Sequence, residues 1–243
     1  MSKTAKKPTK PAEAGAQIQA GGPTPQGLIN CSNNPIVMSA IFAVMRTLKK
    51  INPGDTYYEQ YIGMRQRYGA TFYDTYQLLW SIGAHIAPKR ILEIGCRTGI
   101  SICQLVSAHA NVAGIERIVL VDPFDQWTSA NLVRANMKYL NLPGEKPEIL
   151  AIRSQDYFKS KDLPTFDYIL VDGDHDKLVA AQDLMGAHAI LEKGGVIVFD
   201  DISTAPGECA LLDVWEGFKA QHENEYEFFE IMDGKGVGLG IKK

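Results

Sequence analysis

From Arg90 onward the chain alternates short apolar runs with segments long enough for helices. Arg90 to Ile94, Arg117 to Val121, Glu148 to Ile152, Tyr168 to Val171 and Val196 to Phe199 have strand length. Parallel strands cannot be joined by a tight turn, so each pair needs a crossover, and the crossover helices bury the strands on both faces. This pattern predicts repeated βαβ units around a parallel sheet. Glu227 to Met232 and Gly236 to Ile241 read as two closing strands around a turn at Asp233-Gly234. Seven strands ending in a hairpin fit an α/β, doubly wound, mostly parallel sheet closed by an antiparallel hairpin.

Three regions follow from this reading. Residues 1–30 are rich in Lys, Ala, Pro, Gly and Gln, which bury too little surface to offset ordering entropy, so a disordered tail with solvated lysines is expected. Residues 31–87 read as an N-terminal helical segment, a cap or lid. Asn34-Pro35 has the form of an N-cap and first-turn proline, and Ile36, Val37, Ile41, Val44, Met45 and Leu48 follow at helical spacing. That helix should stop near Asn52-Pro53-Gly54. Further helical stretches carry Tyr57, Tyr58, Tyr61 and Tyr68 and run from about Thr71 to Ala87. The main domain is 88–243.

The apolar run Ile36 to Met45 is well short of the roughly 20 residues a spanning helix needs. A formal net charge of -3 gives no footprint for nucleic acid or an anionic membrane. The four cysteines, Cys31, Cys96, Cys103 and Cys209, form no C-x-x-C pair, and no secretory apolar run opens the chain, so a reducing cytoplasm is the expected location. The expected partner is a small-molecule acceptor, and a homo-oligomer is among the assemblies the sequence permits.

The first strand runs into Glu93-Ile94-Gly95-Cys96-Arg97-Thr98-Gly99 ahead of a helical segment. Glycine there lets the backbone turn and approach a ligand beyond the strand ends, where open α/β sheets hold cofactors. A pyrophosphate calls for G-x-G-x-x-G without an adjacent carboxylate. The methionine part of S-adenosyl-L-methionine carries an ammonium and a sulfonium that Glu93 can attract, so the loop favours the methyl donor. Asp122, closing the second strand, suits the ribose hydroxyls of either cofactor. Cys96 lies in the loop in a packing role, with no base to make it a nucleophile.

With these features the chain, over about residues 71–243, resembles the class I S-adenosylmethionine-dependent methyltransferases. These have a Rossmann-like sheet, and the nearest pattern is that of the methyltransferase 24 group and the metal-dependent catechol and macrolide-sugar O-methyltransferases. Arg97 stands where the glycine pattern has its middle glycine, which implies a somewhat different cofactor contact. Ser154-Gln155-Asp156 looks like the segment with which catechol O-methyltransferase relatives hold adenine, and Ser101 is similar to a serine on the methionine carboxylate. The resemblance implies that Glu93, Gly95, Cys96, Gly99, Ser101, Asp122, Ser154 and Gln155 form the cofactor site.

The fourth strand ends in Asp172-Gly173-Asp174-His175 and the fifth in Asp200-Asp201. If the two strands are neighbours, Asp172 and Asp200 lie about 5 Å apart. Three carboxylates at one edge repel unless a cation is shared, so Asp172, Asp200 and Asp201 are expected to hold Mg²⁺ or another divalent cation. His175, of the residue type that titrates near neutrality, is the candidate base, with helix capping or support of a cation ligand from outside as its alternative role. The D-G-x-H segment resembles the macrolide-sugar enzymes; a lysine stands at this place in the catechol type. His85, His109, His188 and His222 read as structural or surface residues, and Trp127 with the tyrosines as core or acceptor pocket.

The expected activity is a Mg²⁺-assisted O-methyl transfer to a sugar or natural-product diol. Alternatives are a metal-independent methyltransferase, a related non-methyltransferase enzyme on the same fold, and a noncatalytic cofactor-binding sensor or scaffold.

Overall fold

A computed structural model of the chain describes residues 78–79, 82–83, 86–107, 109, 112–125, 129–137, 147–202, 210–232 and 235–243. The tail, most of the N-terminal helical segment, His85, Trp127 and the Asp233-Gly234 turn lie outside them. The strands are β1 (Arg90–Ile94), β2 (Arg117–Val121), β3 (Glu148–Leu150), β4 (Phe166–Val171), β5 (Leu191–Asp200), β6 (Tyr226–Ile231) and β7 (Val237–Lys242). Between them run α1 (Ile100–Ser107), α2 (Ala130–Met137), α3 (Ser154–Phe158), α4 (Lys177–Ile190) and α5 (Leu212–His222).

The seven strands form one sheet in the order β3-β2-β1-β4-β5-β7-β6. The first five are parallel, and β7 enters antiparallel between β5 and β6. This is the expected doubly wound sheet with its antiparallel closure. Reversal of strand order at β1 and β4 opens the crevice in which such sheets bind ligands.

Side chains alternate along each strand, so every second residue joins a different core. Ile91, Ile118, Leu120, Leu170 and Val198 pack with Ile102, Leu105 and Val133 of α1 and α2 and with Leu78, Leu79 and Ile82. Leu92, Val119, Ile169, Val171 and Ile197 pack with Leu184, Trp215 and Phe218 of α4 and α5. Each such aliphatic side chain stabilises the sheet by about 1.5–3 kcal/mol through removal from water. Because both faces are covered, only the strand ends remain for chemistry.

The sheet is tightest where β1 leaves it. Gly95 donates its N–H to the Val121 carbonyl (2.8 Å), and Asp172 donates to the Ile94 carbonyl (2.9 Å). A Cβ on residue 95 would stand 1.9 Å from the Asp172 carbonyl oxygen, and φ is +84°. Glycine is required on both counts. Gly95→Ala is expected to cost about 3 kcal/mol or more from strain and overpacking together. Urea denaturation checks this; a loss under about 1 kcal/mol would contradict the packing described.

Candidate active site

The loop between β1 and α1 is the first wall of the site. Arg97 adopts φ +42°, so it keeps the left-handed backbone of a glycine at a cost of about 1 kcal/mol. Two partners hold it there. The Arg97 N–H donates to Asp122 Oδ2 (2.7 Å), and buried Asn136 on α2 donates to the Thr98 carbonyl (2.7 Å). Gly99, at φ +74°, lies against Val133, whose Cγ1 would be 2.9 Å from an added Cβ.

Glu93 stands beneath this loop. It is 1% exposed and accepts a hydrogen bond from the Ser101 hydroxyl at the start of α1. Its second oxygen is buried without a hydrogen-bond partner. Burial pushes its carboxyl up to about 8, with Asp122 adding to the rise and the Ser101 and Ile102 hydrogen bonds opposing it. Burial, and then the Glu93 and Asp122 carboxyls, also push the Cys96 thiol up, which leaves it a packing group.

At the end of β2, Asp122 Oδ1 accepts from the Phe124 N–H (2.7 Å). Both Asp122 oxygens thus brace backbone, each with a second lone pair for a ligand hydroxyl. Ser154 and Gln155 open α3 beyond β3, and an Arg153–Asp125 ion pair (2.8 Å) closes the rim.

β4 and β5 pair in parallel with Val171 opposite Phe199, so Asp172 and Asp200 leave adjacent strands together. Among the described residues, Asp172, His175 and Asp201 each place a donor atom within 4.8 Å of the others. Asp201 turns inward at φ +63° and is 1% exposed. Its two oxygens are both engaged: His175 Nε2 lies 2.8 Å from one and Lys235 Nζ 2.7 Å from the other. Burial works against the Asp201 carboxylate, yet His175 and Lys235 outweigh it and hold it below the usual range. Burial first, then Asp200 and Asp201, push the Asp172 carboxyl well above that range. Burial opposes the Lys235 charge, but Asp201, Asp200 and Asp172 raise its pKa overall.

One cavity of about 480 Å³ joins these groups. Its size falls within the roughly 300–1,000 Å³ typical of small-molecule sites. Of the residues expected from sequence, Gly95, Cys96, Ser101, Asp122, Ser154, Gln155, Asp172, His175, Asp200 and Asp201 all line it. Glu93 and Gly99 are absent from that lining and shape the loop from behind. His175 belongs to the close donor group, whereas Asp200 lies beside it. The capping role falls to Asp176, whose carboxylate accepts from the Leu178 and Val179 N–H groups, so His175 does not serve as the cap. His109 is buried with Nε2 2.8 Å from the Pro88 carbonyl, a structural contact.

Lys235 escaped the sequence reading. It sits in the turn before β7, and only the pairing of Val237 with Asp200 brings that turn to the acids. The available signal was a lysine beside a glycine in the closing hairpin.

The oxygen-rich donor set fits a hard divalent cation. Among the described residues, Asp172, Asp200 and Asp201 bring three carboxylates toward the Lys235 ammonium, a donor chemistry that a divalent cation fits.

Comparison with known proteins agrees with this fold. Residues 92–202 match the model of a family described as a methyltransferase domain, a span from β1 through the end of β5. No curated protein matches the chain. Among solved structures, the chain is similar to the O-methyltransferase from Bacillus cereus in complex with SAH, at TM-score 0.61 and 16% identity, covering 85% of this chain and 100% of that one. It is also similar to the O-methyltransferase TomG from Streptomyces achromogenes, involved in tomaymycin synthesis and solved with SAM (0.59, 16%, 85% and 98%). A third is the SAH-bound methyltransferase PaMTH1 of Podospora anserina (0.56, 18%, 85% and 96%). At these identities the likeness is one of fold. Strand order and family match agree that residues 92–202 carry a methyltransferase domain on a Rossmann-like sheet.

The raised Glu93 carboxyl has a measurable sign. Between its ordinary value of 4.5 and about 8, the folded chain keeps a proton that the unfolded chain releases, so Glu93 lowers stability as pH rises through that window. In the ligand-free protein, Glu93→Gln should therefore gain roughly 1–3 kcal/mol over wild type at about pH 8 relative to about pH 5.5. Parallel pH profiles of urea stability for the two proteins would contradict this.

Proposed function

We propose that the chain transfers the methyl group of S-adenosylmethionine to a hydroxyl oxygen of a small acceptor, with a divalent cation at the acid cluster. The observation that supports this most is that the glycine loop, the strand-end acids and His175 line a single cavity. When bound, the donor supplies a sulfonium-activated methyl group, and the cation supplies a Lewis acid for the acceptor oxygen.

In this reading Gly95, Ser101, Asp122, Ser154 and Gln155 orient the donor, with Glu93 and Gly99 fixing the loop behind it. Asp172, Asp200 and Asp201 hold the cation. His175 takes the hydroxyl proton, while the new carbon–oxygen bond forms and the old carbon–sulfur bond gives its electron pair to sulfur. Asp201 holds Nε2 of the His175 ring, so Nδ1 is the nitrogen that receives the proton. The acceptor class we favour is a sugar or natural-product diol, because adjacent oxygens can chelate one cation. A chain of net charge -3 favours a small molecule over nucleic acid as the partner.

A second reading, methyl transfer without metal, is favoured by Lys235, whose ammonium already contacts Asp201. Here Lys235 is the standing counter-ion of the cluster.

Labelled methyl transfer to a panel of sugars and diols separates these. His175→Ala should lower kcat by about 10²–10⁴ while donor binding is retained. On the first reading chelation abolishes transfer, Mg²⁺ restores it, and Lys235→Gln stays metal-dependent. Activity that survives chelation and disappears in Lys235→Gln would establish the second. Failure of the intact protein to bind the donor would overturn both.

A further inference from the structure

We propose that the chain carries a second metal site, for Zn²⁺, at the pole of the sheet opposite the cavity, formed by His188, His222 and Glu225. This does not depend on the methyltransferase reading. His188 lies in the last turn of α4, His222 ends α5, and Glu225 precedes β6. Each offers a donor atom within 4.8 Å of the other two. His188 is 13 positions beyond His175 in the chain, and from the start of α4 to His188 the helix climbs about 16 Å, so this group is remote from the acid cluster.

The two imidazoles converge on one carboxylate. Glu225 Oε1 is 2.8 Å from His222 Nδ1, and Oε2 is 3.9 Å from His188 Nε2. Donors around tetrahedral zinc stand about 3.3 Å apart, given bonds near 2.0–2.1 Å, so the two observed separations bracket the required one. The rings face each other at a centroid distance of 4.1 Å and a tilt of 36°. Glu225, with its side chain half exposed, is the partner able to shift.

One further contact resembles that of a prepared site. His188 Nδ1 is 2.9 Å from the Tyr226 hydroxyl, which fixes the ring and leaves Nε2 toward the cluster, as an outer partner does for a ligating histidine. His222 is buried, and it is its Nδ1 that faces Glu225. The neighbouring cation Lys242 is tied to the carbonyls of His188 (2.8 Å) and Leu191 (2.9 Å).

Ligand chemistry separates the two sites. The first group, two carboxylates and one imidazole with Asp200 beside them, is richer in oxygen and suits Mg²⁺, whereas two imidazoles and one carboxylate suit Zn²⁺, with a fourth position left for water. Bound zinc would tie the C-termini of α4 and α5 to the start of β6.

The test is Zn²⁺ titration of the full chain without added histidines, in excess Mg²⁺, on an Asp201→Asn background that disables the other donor group. Calorimetry should show one Zn²⁺ per chain and a zinc-dependent rise in Tm, and Co²⁺ should give the visible absorption of a tetrahedral site. His188→Ala and His222→Ala should each weaken binding at least tenfold. Glu225→Gln, at an exposed side chain that leaves the core untouched, should do the same. No Zn²⁺ binding on the Asp201→Asn background, or affinity unchanged within twofold in Glu225→Gln, would overturn the proposal.

Discussion

The architecture depends on one close approach, the Gly95 backbone against the Asp172 carbonyl. Hydrogen bonds from Gly95 to β2 and from Asp172 to β1 lock the ends of three strands at that point. The loop and the first acid are therefore parts of one rigid junction rather than neighbours on mobile segments. Precision at a reacting centre needs support of this kind, since positioning accounts for much of the rate gain in group transfer.

Charge is the second constraint. The strand ends gather carboxylates where burial is costly; Lys235 and His175 offset that cost at Asp201, while the Asp172 carboxyl stays raised. This gathering of acids is the ground for the proposed cation site, and there Lys235 would compete for Asp201. The cavity thus gathers acids at one end and is braced by backbone hydrogen bonds at the other, around Asp122.

Much of this was legible in sequence, for identifiable reasons. β1 and β2 begin and end where the apolar runs do. β5 was read short because Glu192, Lys193, Gly194 and Gly195 carry no apolar signal, although the backbone already pairs from Leu191 opposite Phe166. Asp172 and Asp200 could be named as partners only on the condition that β4 and β5 adjoin, which pairing now supplies. Lys235 and the His188–His222 pair were not legible as parts of sites. Lys235 reaches the acids because β7 inserts between β5 and β6, and the histidines meet because α5 packs beside α4. Such long-range consequences of topology leave no local periodicity to read.

The central claim is that one cavity holds the methyl donor and the acidic site side by side. A crystal structure of the full chain soaked with S-adenosylhomocysteine and Mg²⁺ tests it most directly. The account predicts ligand density along the Gly95 to Gly99 loop, its ribose on Asp122, its sulfur toward His175, and a cation on Asp172, Asp200 and Asp201. Ligand bound away from that loop, or a loop region that stays empty at saturating ligand, would contradict it.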